Sequence, residues 1–268
     1  MSYAPRLVVF DSGMGGLTVA RAIRARLPAA QLLYMVDNGG FPYGALSDLA
    51  LQSRVAASID AALARIGACD AVVIACNTAS TAVLDYLRAH HTLPIVGVVP
   101  AVKWAASISV SRQIGVLATA VTAQRPYLAD LIERFAAHCT VKIHGAARLA
   151  EYAERDFCGE FVDDEAIFDE VAPLFAHPEA PMIDKIALGC THYPLLLPRL
   201  VRLFPGRDFL DPSEAVANRV ASVALPQGAQ EGWVGTVPPN RTLFTAKPQR
   251  AVDRLADEGL EFHSVVKI

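Results

Sequence analysis

The sequence has 268 residues, 53% of them hydrophobic, enough for one large or two small domains with a sizeable buried core. Lys and Arg number 24 against 27 Asp and Glu, a formal charge of −3, which supplies neither the basic excess of a nucleic-acid binder nor an acidic tail. The stretch from Met1 to Gly13 meets a charged strand end too early for a secretory signal, and Asp, Lys or Pro breaks every apolar run short of the roughly 20 residues that span a membrane. Five cysteines without a C-x-x-C pair argue against a disulfide scaffold and for a reducing compartment, so the expectation is a cytoplasmic protein with no nucleic-acid or membrane partner.

Short apolar runs alternate with helix-like segments, the pattern of α/β layers around a largely parallel sheet. In chain order, Leu7–Phe10, Leu32–Val36, Ala71–Ala75 and Ile95–Val98 read as strands, with helices over Leu17–Arg26, Leu49–Ile66 and Ser80–Arg88. The pattern then restarts with strands at Ile114–Leu117, Val141–His144, Ile186–Leu188 and Phe209–Leu210, and helices over Ala123–Ala136 and Glu165–Leu174. A closing strand, helix and strand cover Thr242–Ala246, Gln249–Glu258 and Glu261–Val266. In each series the third strand ends in a cysteine followed by polar residues, Cys76-Asn77-Thr78 and Cys190-Thr191-His192. The cysteines are 114 residues apart, and Asp11 and Thr119, after the two first strands, are 108 apart, as a degenerate internal duplication would give.

Parallel sheets present ligand sites beyond the carboxyl ends of their strands, which is where the candidate chemistry clusters. Asp11-Ser12-Gly13-Met14-Gly15-Gly16 runs from a strand into a helix, with glycines that leave backbone N–H groups open to an anion. A dinucleotide fingerprint would need Gly where Thr18 stands, and the Gly-Lys-Ser/Thr of a phosphate loop is missing. A plain structural turn is the competing reading. Cys76 sits between an apolar strand and a helix start. A buried structural thiol is the usual fate of a free cysteine, but polar neighbours and a helix N-terminus favour the thiolate. Bringing an ordinary thiol, pKa about 8.5, near neutrality takes about 2 kcal/mol of preferential stabilisation of the anion.

Cys190 has the same placement, with His192 two residues on. A hydrolase nucleophile and base would use such a pair but leave Cys76 unexplained, and the spacing is poor for zinc. Racemisation accounts for both thiols. Inverting a carbon needs a base on one face and an acid on the other, and identical residue types suit a reaction that runs both ways. Phe41-Pro42-Tyr43-Gly44 reads as a rigid turn whose backbone donors could hold a carboxylate, and Asp37 as a helix cap or a solvent-facing residue. Cys69, Cys139 and Cys158 read as ordinary thiols.

With FDSGMGG at 10–16, FPYG at 41–44, ACNTAS at 75–80 and LGCTHYPLL at 188–196, the sequence resembles the glutamate racemases of the aspartate/glutamate racemase superfamily over nearly its whole length. The resemblance implies two similar α/β domains with central, largely parallel sheets, related by a pseudo-twofold axis, with the active site in the cleft between them. Residues 1–99 with 213–268 would form the first domain and 100–212 the second. It implies interconversion of L- and D-glutamate without cofactor or metal, D-glutamate for peptidoglycan, and a homodimer. Cys76 and Cys190 would be the two catalytic acid–bases, Cys76 acting on D-glutamate and Cys190 on L-glutamate. Asp11 would support the first thiol, and His192 and Glu151 the second. Asp11, Ser12, Pro42, Tyr43, Gly44, Asn77, Thr78, Thr119, Thr122, Thr191 and His192 fall at positions that bind substrate. The chain departs from the family pattern at Val121, where glycine is usual, at Val99 before Pro100, and at Asn38-Gly39-Gly40. An aspartate or other acidic amino-acid racemase of the same superfamily and a catalytically weak binding or regulatory protein are the rivals; the intact Cys76, Cys190, Asp11 and His192 speak against the second.

Overall fold

The computed structural model describes residues 3–176, 182–226, 239–248 and 252–268. The chain divides into two compact units, 1–98 with 213–268 and 99–212. The first opens with β1 (Arg6–Asp11), α1 (Leu17–Arg26), β2 (Gln31–Val36), α2 (Asp48–Ile66), β3 (Ala71–Ile74), α3 (Asn77–His90) and β4 (Ile95–Gly97). The second contains α4 (Val102–Ile108), β5 (Gln113–Thr119), α5 (Ala120–Ala123), α6 (Pro126–Ala136), β6 (Thr140–Ala146), α7 (Leu149–Phe157), α8 (Asp164–Val171), β7 (Lys185–Gly189), α9 (Leu197–Leu203) and β8 (Asp208–Leu210). The chain then returns to the first unit as α10 (Ser213–Ala224), β9 (Arg241–Phe244), α11 (Val252–Asp257) and β10 (Glu261–Val265).

Both sheets are parallel throughout the described residues, in the orders β10-β9-β2-β1-β3-β4 and β6-β5-β7-β8. The expected pair of similar α/β domains is borne out. Setting aside the returning strands, each sheet runs second, first, third, fourth, so β3 and β7 are topological equivalents. Parallel strands need crossover connections, and helices laid over both faces make the inner strands continuously apolar. In the first unit Val8, Phe10, Leu33 and Met35 pack against Leu51, Val55 and Ile59 of α2 and Val83 and Leu87 of α3. Each such fully buried side chain contributes roughly 1.5–3 kcal/mol of hydrophobic stabilisation. In the second unit alternate residues of one strand serve two layers, as the two-residue period of a strand dictates. Leu117 faces the cluster of α7, α8 and α9, whereas Ile114 and Val116 face α4 and α6.

The helix expected over Ala123–Ala136 is two. Pro126 has no N–H to donate and disfavours a helical Arg125, which is extended at φ −74°, ψ 133°, so α6 starts afresh with proline in its first turn. Pro173 similarly falls in a tight 3₁₀ turn over Ala172–Phe175, after α8 has ended at Val171. Of the expected closing helix, Gln249–Ala251 lie outside the described residues. Among the described residues no helix is long and apolar enough to cross a membrane.

Asp184, just before β7, ties that strand to the end of α4. Its Oδ1 accepts from the hydroxyls of Ser109 (2.6 Å) and Ser111 (2.9 Å), and its Oδ2 from Val110 N (2.8 Å). Burial opposes the charged form, but these hydrogen bonds outweigh it and hold the carboxyl down at about 2. A depressed folded-state value means that the contribution is complete above the ordinary carboxylate pKa of about 4 and is lost as pH falls through about 2. Asp184→Asn is expected to cost about 1 kcal/mol at neutral pH, kept low by the solvent-open setting. Thermal unfolding of the two proteins should converge between about pH 4 and pH 2.

Candidate active site

In the first unit the carboxyl ends of β1, β2 and β3 carry Asp11, Asp37 and Cys76. Asp11 is fully buried, and its Oδ2 accepts from Gly16 N at 2.8 Å and Gly13 N at 3.4 Å, closing the loop into α1. A Cβ at position 16 would lie 2.8 Å from Asp11 Cβ and 3.2 Å from Ala75 Cβ, so only glycine allows the loop to seat between β1 and β3. The Tyr34 hydroxyl donates to Gly13 O at 2.8 Å from the neighbouring strand. This leaves Ser12 Oγ 3.7 Å from Cys76 Sγ. Cys76 is itself the extended residue (φ −137°, ψ 118°) from which α3 starts. Asn77 follows, 1% exposed, and neither its amide nitrogen nor its amide oxygen has a hydrogen-bond partner among the described residues. Buried polar atoms rarely go unpaired in proteins, so an orphaned amide beside a thiol at a helix N-terminus marks a position fitted to bind a small polar molecule.

The loop after β2 is held differently. Asp37 is fully buried rather than the cap or solvent-facing residue expected, and accepts from the Tyr43 hydroxyl at 2.6 Å. Burial, with Asp37, Cys76 and Asp11 nearby, keeps the Tyr43 phenol well above its ordinary pKa, so it stays a donor. Pro42 and Gly44, on either side of buried Tyr43, are exposed.

In the second unit Cys190 follows β7 and is 6% exposed, with Thr191 and His192 also buried. His192 Nδ1 lies 4.0 Å from Cys190 Sγ, and its Nε2 is 2.9 Å from Glu154 Oε2 on α7. The Tyr193 hydroxyl donates to Ala118 O at 3.0 Å, fastening this turn to the end of β5. Thr119 and Thr122 are brought together at 2.9 Å, and Thr119 also caps the single turn of α5, so the turn closes with Val121 in place of glycine.

Glu151, also expected on this side of the site, is not the carboxylate that meets His192. It is 45% exposed and pairs at the surface with Arg148 (3.6 Å) and Arg155 (3.9 Å). The carboxylate on His192 belongs to Glu154, three residues further along the same helix. Residues three apart lie on neighbouring positions of one face, and the turn that points at β7 is set by how α7 packs. The sequence signal for Glu154 was therefore only its spacing from the candidate already singled out. Among the described residues no three His, Cys, Asp or Glu side chains gather as a metal site would require.

Two parallel-sheet units, each with a buried cysteine beyond its third strand, define a class, and residues 17–220 match the family model of Asp/Glu/hydantoin racemases. A glutamate racemase of Granulibacter bethesdensis is 52% identical over 224 residues, 83% of this chain and 80% of that protein. The crystal structure of Escherichia coli glutamate racemase in complex with L-glutamate and the activator UDP-MurNAc-ala is 36% identical, with a TM-score of 0.89 over 99% of both chains. Glutamate racemase isoform RacE1 of Bacillus anthracis is 27% identical, with a TM-score of 0.78 over 100% of this chain and 98% of that one. The chain belongs to the glutamate racemase family of isomerases.

If Glu154 orients His192, Glu154→Gln should lower racemase kcat by about 100-fold, whereas Glu151→Gln should stay within about twofold of wild type. Steady-state rates from both enantiomers, measured by polarimetry, check this, and equal effects of the two substitutions would refute the assignment.

Proposed function

We propose that this protein is a cofactor-independent glutamate racemase in which Cys76 and Cys190 act on opposite faces of the substrate Cα. The observation that carries the reading is the equivalence of the two thiols. Each is buried at the carboxyl end of the third strand of a sheet of the same order, and each has a polar side chain beside it. Glutamate as substrate is supported by the names of the relatives and by the ligand in the Escherichia coli structure.

One thiolate removes the Cα proton, forming its S–H bond as the C–H bond breaks, and the opposite thiol delivers its proton to the other face and becomes the thiolate. Each enantiomer thus finds the enzyme form its partner leaves behind, and proton exchange with water resets the pair. By family resemblance Cys76 takes the proton of D-glutamate and Cys190 that of L-glutamate. The Ser12 hydroxyl stands by the first thiol, and the His192–Glu154 pair by the second. Asp11 shapes the loop that carries Ser12. Asn77, Thr78, Thr191, Thr119, Thr122 and the Pro42–Gly44 turn supply the polar groups for the amino and carboxylate ends. In the cell the product D-glutamate would serve peptidoglycan synthesis, with the enzyme in the cytoplasm as a homodimer.

Incubation of the purified protein with L- or D-glutamate in heavy water should place deuterium at Cα of the enantiomeric product, read by NMR and mass spectrometry. No exchange with glutamate, or far faster turnover of aspartate, would overturn the substrate assignment. Cys76→Ala and Cys190→Ala should each reduce kcat/KM at least about 1,000-fold, the size of a lost general acid or base. Near-normal turnover in either would end the two-thiol reading.

A further inference from the structure

Arg54 lies on α2, seventeen positions beyond Asp37, and carries no motif that would single it out. Its guanidinium nonetheless forms the geometry of a two-point clamp, with Nε 2.6 Å from Asp37 Oδ2 and Nη2 2.6 Å from Asp37 Oδ1. Asp37 is fully buried, and Arg54 retains 27% exposure of its side chain. The same carboxylate accepts from the Tyr43 hydroxyl at 2.6 Å and the Thr245 hydroxyl at 2.5 Å. Thr245 in turn accepts from Gly39 N at 3.0 Å, and Asn38 exchanges two hydrogen bonds with the backbone of Ala246, at 3.0 and 2.9 Å. One carboxylate therefore gathers α2, the end of β9 and both ends of the loop 38–43. The unusual Asn38-Gly39-Gly40 lead has its explanation here. A Cβ at Gly40 would come within 2.8 Å of Asp37 Oδ2 and 2.9 Å of the Tyr43 ring, and closer still to Arg54 Nε, so the clamp requires glycine. Tyr43 packs in the same buried cluster as Cys76.

We infer that Arg54 is a positioning residue of the racemase reaction: through Asp37 it holds the Pro42–Gly44 turn and Tyr43 in place beside Cys76. The inference rests on the proposed function for what the turn binds, but not for the clamp itself. Fork-shaped, charge-assisted pairing fixes orientation as well as distance, which a lysine at position 54 would not reproduce. Removing the guanidinium leaves a buried carboxylate without its counter-charge, and the chain segment that can yield is the loop.

The test uses the full-length protein. Arg54→Ala, which removes both charge-assisted hydrogen bonds of the clamp, should raise KM for both glutamate enantiomers about 10-fold or more, with a smaller fall in kcat. Arg54→Lys should lie between it and wild type. Arg54→Ala/Asp37→Asn should be less impaired than Arg54→Ala alone, because the neutral amide needs no counter-charge. Peptide-resolved iodoacetamide labelling, which needs no substrate, should show Cys76 alkylated at least about fivefold faster in Arg54→Ala, with Cys190 in the other unit unchanged. A purely structural role would lower Tm while leaving KM and the Cys76-to-Cys190 labelling ratio as in wild type, and that result overturns the inference. Should Arg54→Ala fail to fold, Arg54→Lys and the double variant decide it: wild-type KM and labelling in both refute it. Absence of glutamate exchange in the wild-type protein would sink the proposed function, while the labelling ratio would still judge the clamp.

Discussion

Gly16 N donates to Asp11 Oδ2 at 2.8 Å, inside a loop with no room for a Cβ between Asp11 and Ala75. That close approach governs much of what surrounds it. β1 lies between β2 and β3, so the residue after its last hydrogen-bonded position emerges at the centre of the sheet's carboxyl edge. With the loop drawn tightly back by Asp11, Ser12 is directed at the neighbouring strand end, where Cys76 begins α3. The buried aspartate costs desolvation, which backbone N–H groups offset, and in return the loop has one conformation available rather than several. A longer side chain at position 16 would part β1 from β3 and separate the serine from the thiol.

The second unit reaches a similar end by different chemistry. Strand order repeats, and the cysteine stands at the equivalent place, but the turn after β7 is fixed by Tyr193 on Ala118 O rather than by an acid on glycine amides. The polar neighbour of the thiol is an imidazole backed by a carboxylate instead of a serine hydroxyl. The two units thus share the position of the thiol and differ in its setting. A position is dictated by sheet topology, which changes only with the fold, whereas the partner of a thiol changes with single side chains. The two thiols therefore stand in unlike surroundings, one beside a hydroxyl and the other beside an imidazole.

What was legible in the sequence follows the range of the interaction concerned. Continuous apolar runs such as Val8–Phe10 and Val72–Ile74 identify buried parallel strands, because burial on both faces leaves no polar alternation to confuse them. Cys76 and Cys190 are legible because each stands at a strand end in a polar cluster. Glu151 and Glu154 differ by less than one helical turn, and which of them meets His192 depends on the packing of α7 rather than on local pattern. Asp37 was harder. Its partners are Tyr43, Arg54 and Thr245, and the last is 208 residues away on a strand that joins the sheet only after the whole second unit. No local periodicity carries that information. Asn38-Gly39-Gly40 could be seen to be unusual, yet its reason, the space taken by a distant guanidinium, existed only in the folded chain.

The return of the chain to the first unit has a consequence beyond closing a sheet edge. β9 pairs with β2 in parallel register, Val36 opposite Phe244, so the residues just past both strands come level at the same carboxyl edge. Thr245 and Ala246 can therefore clasp Asn38 and Asp37 without any further loop. A buried carboxylate with four donors is a poor way to gain stability, since apolar packing of similar volume often does as well or better. It is a good way to exclude alternatives, because a shift of β9 by one residue would turn the Thr245 hydroxyl to the opposite face and leave Asp37 short of a partner. On that reasoning the added strands act as a register lock for the loop after β2. Among the described residues the first unit carries six strands and the second four, and β9 is the added strand that holds this loop from its far side.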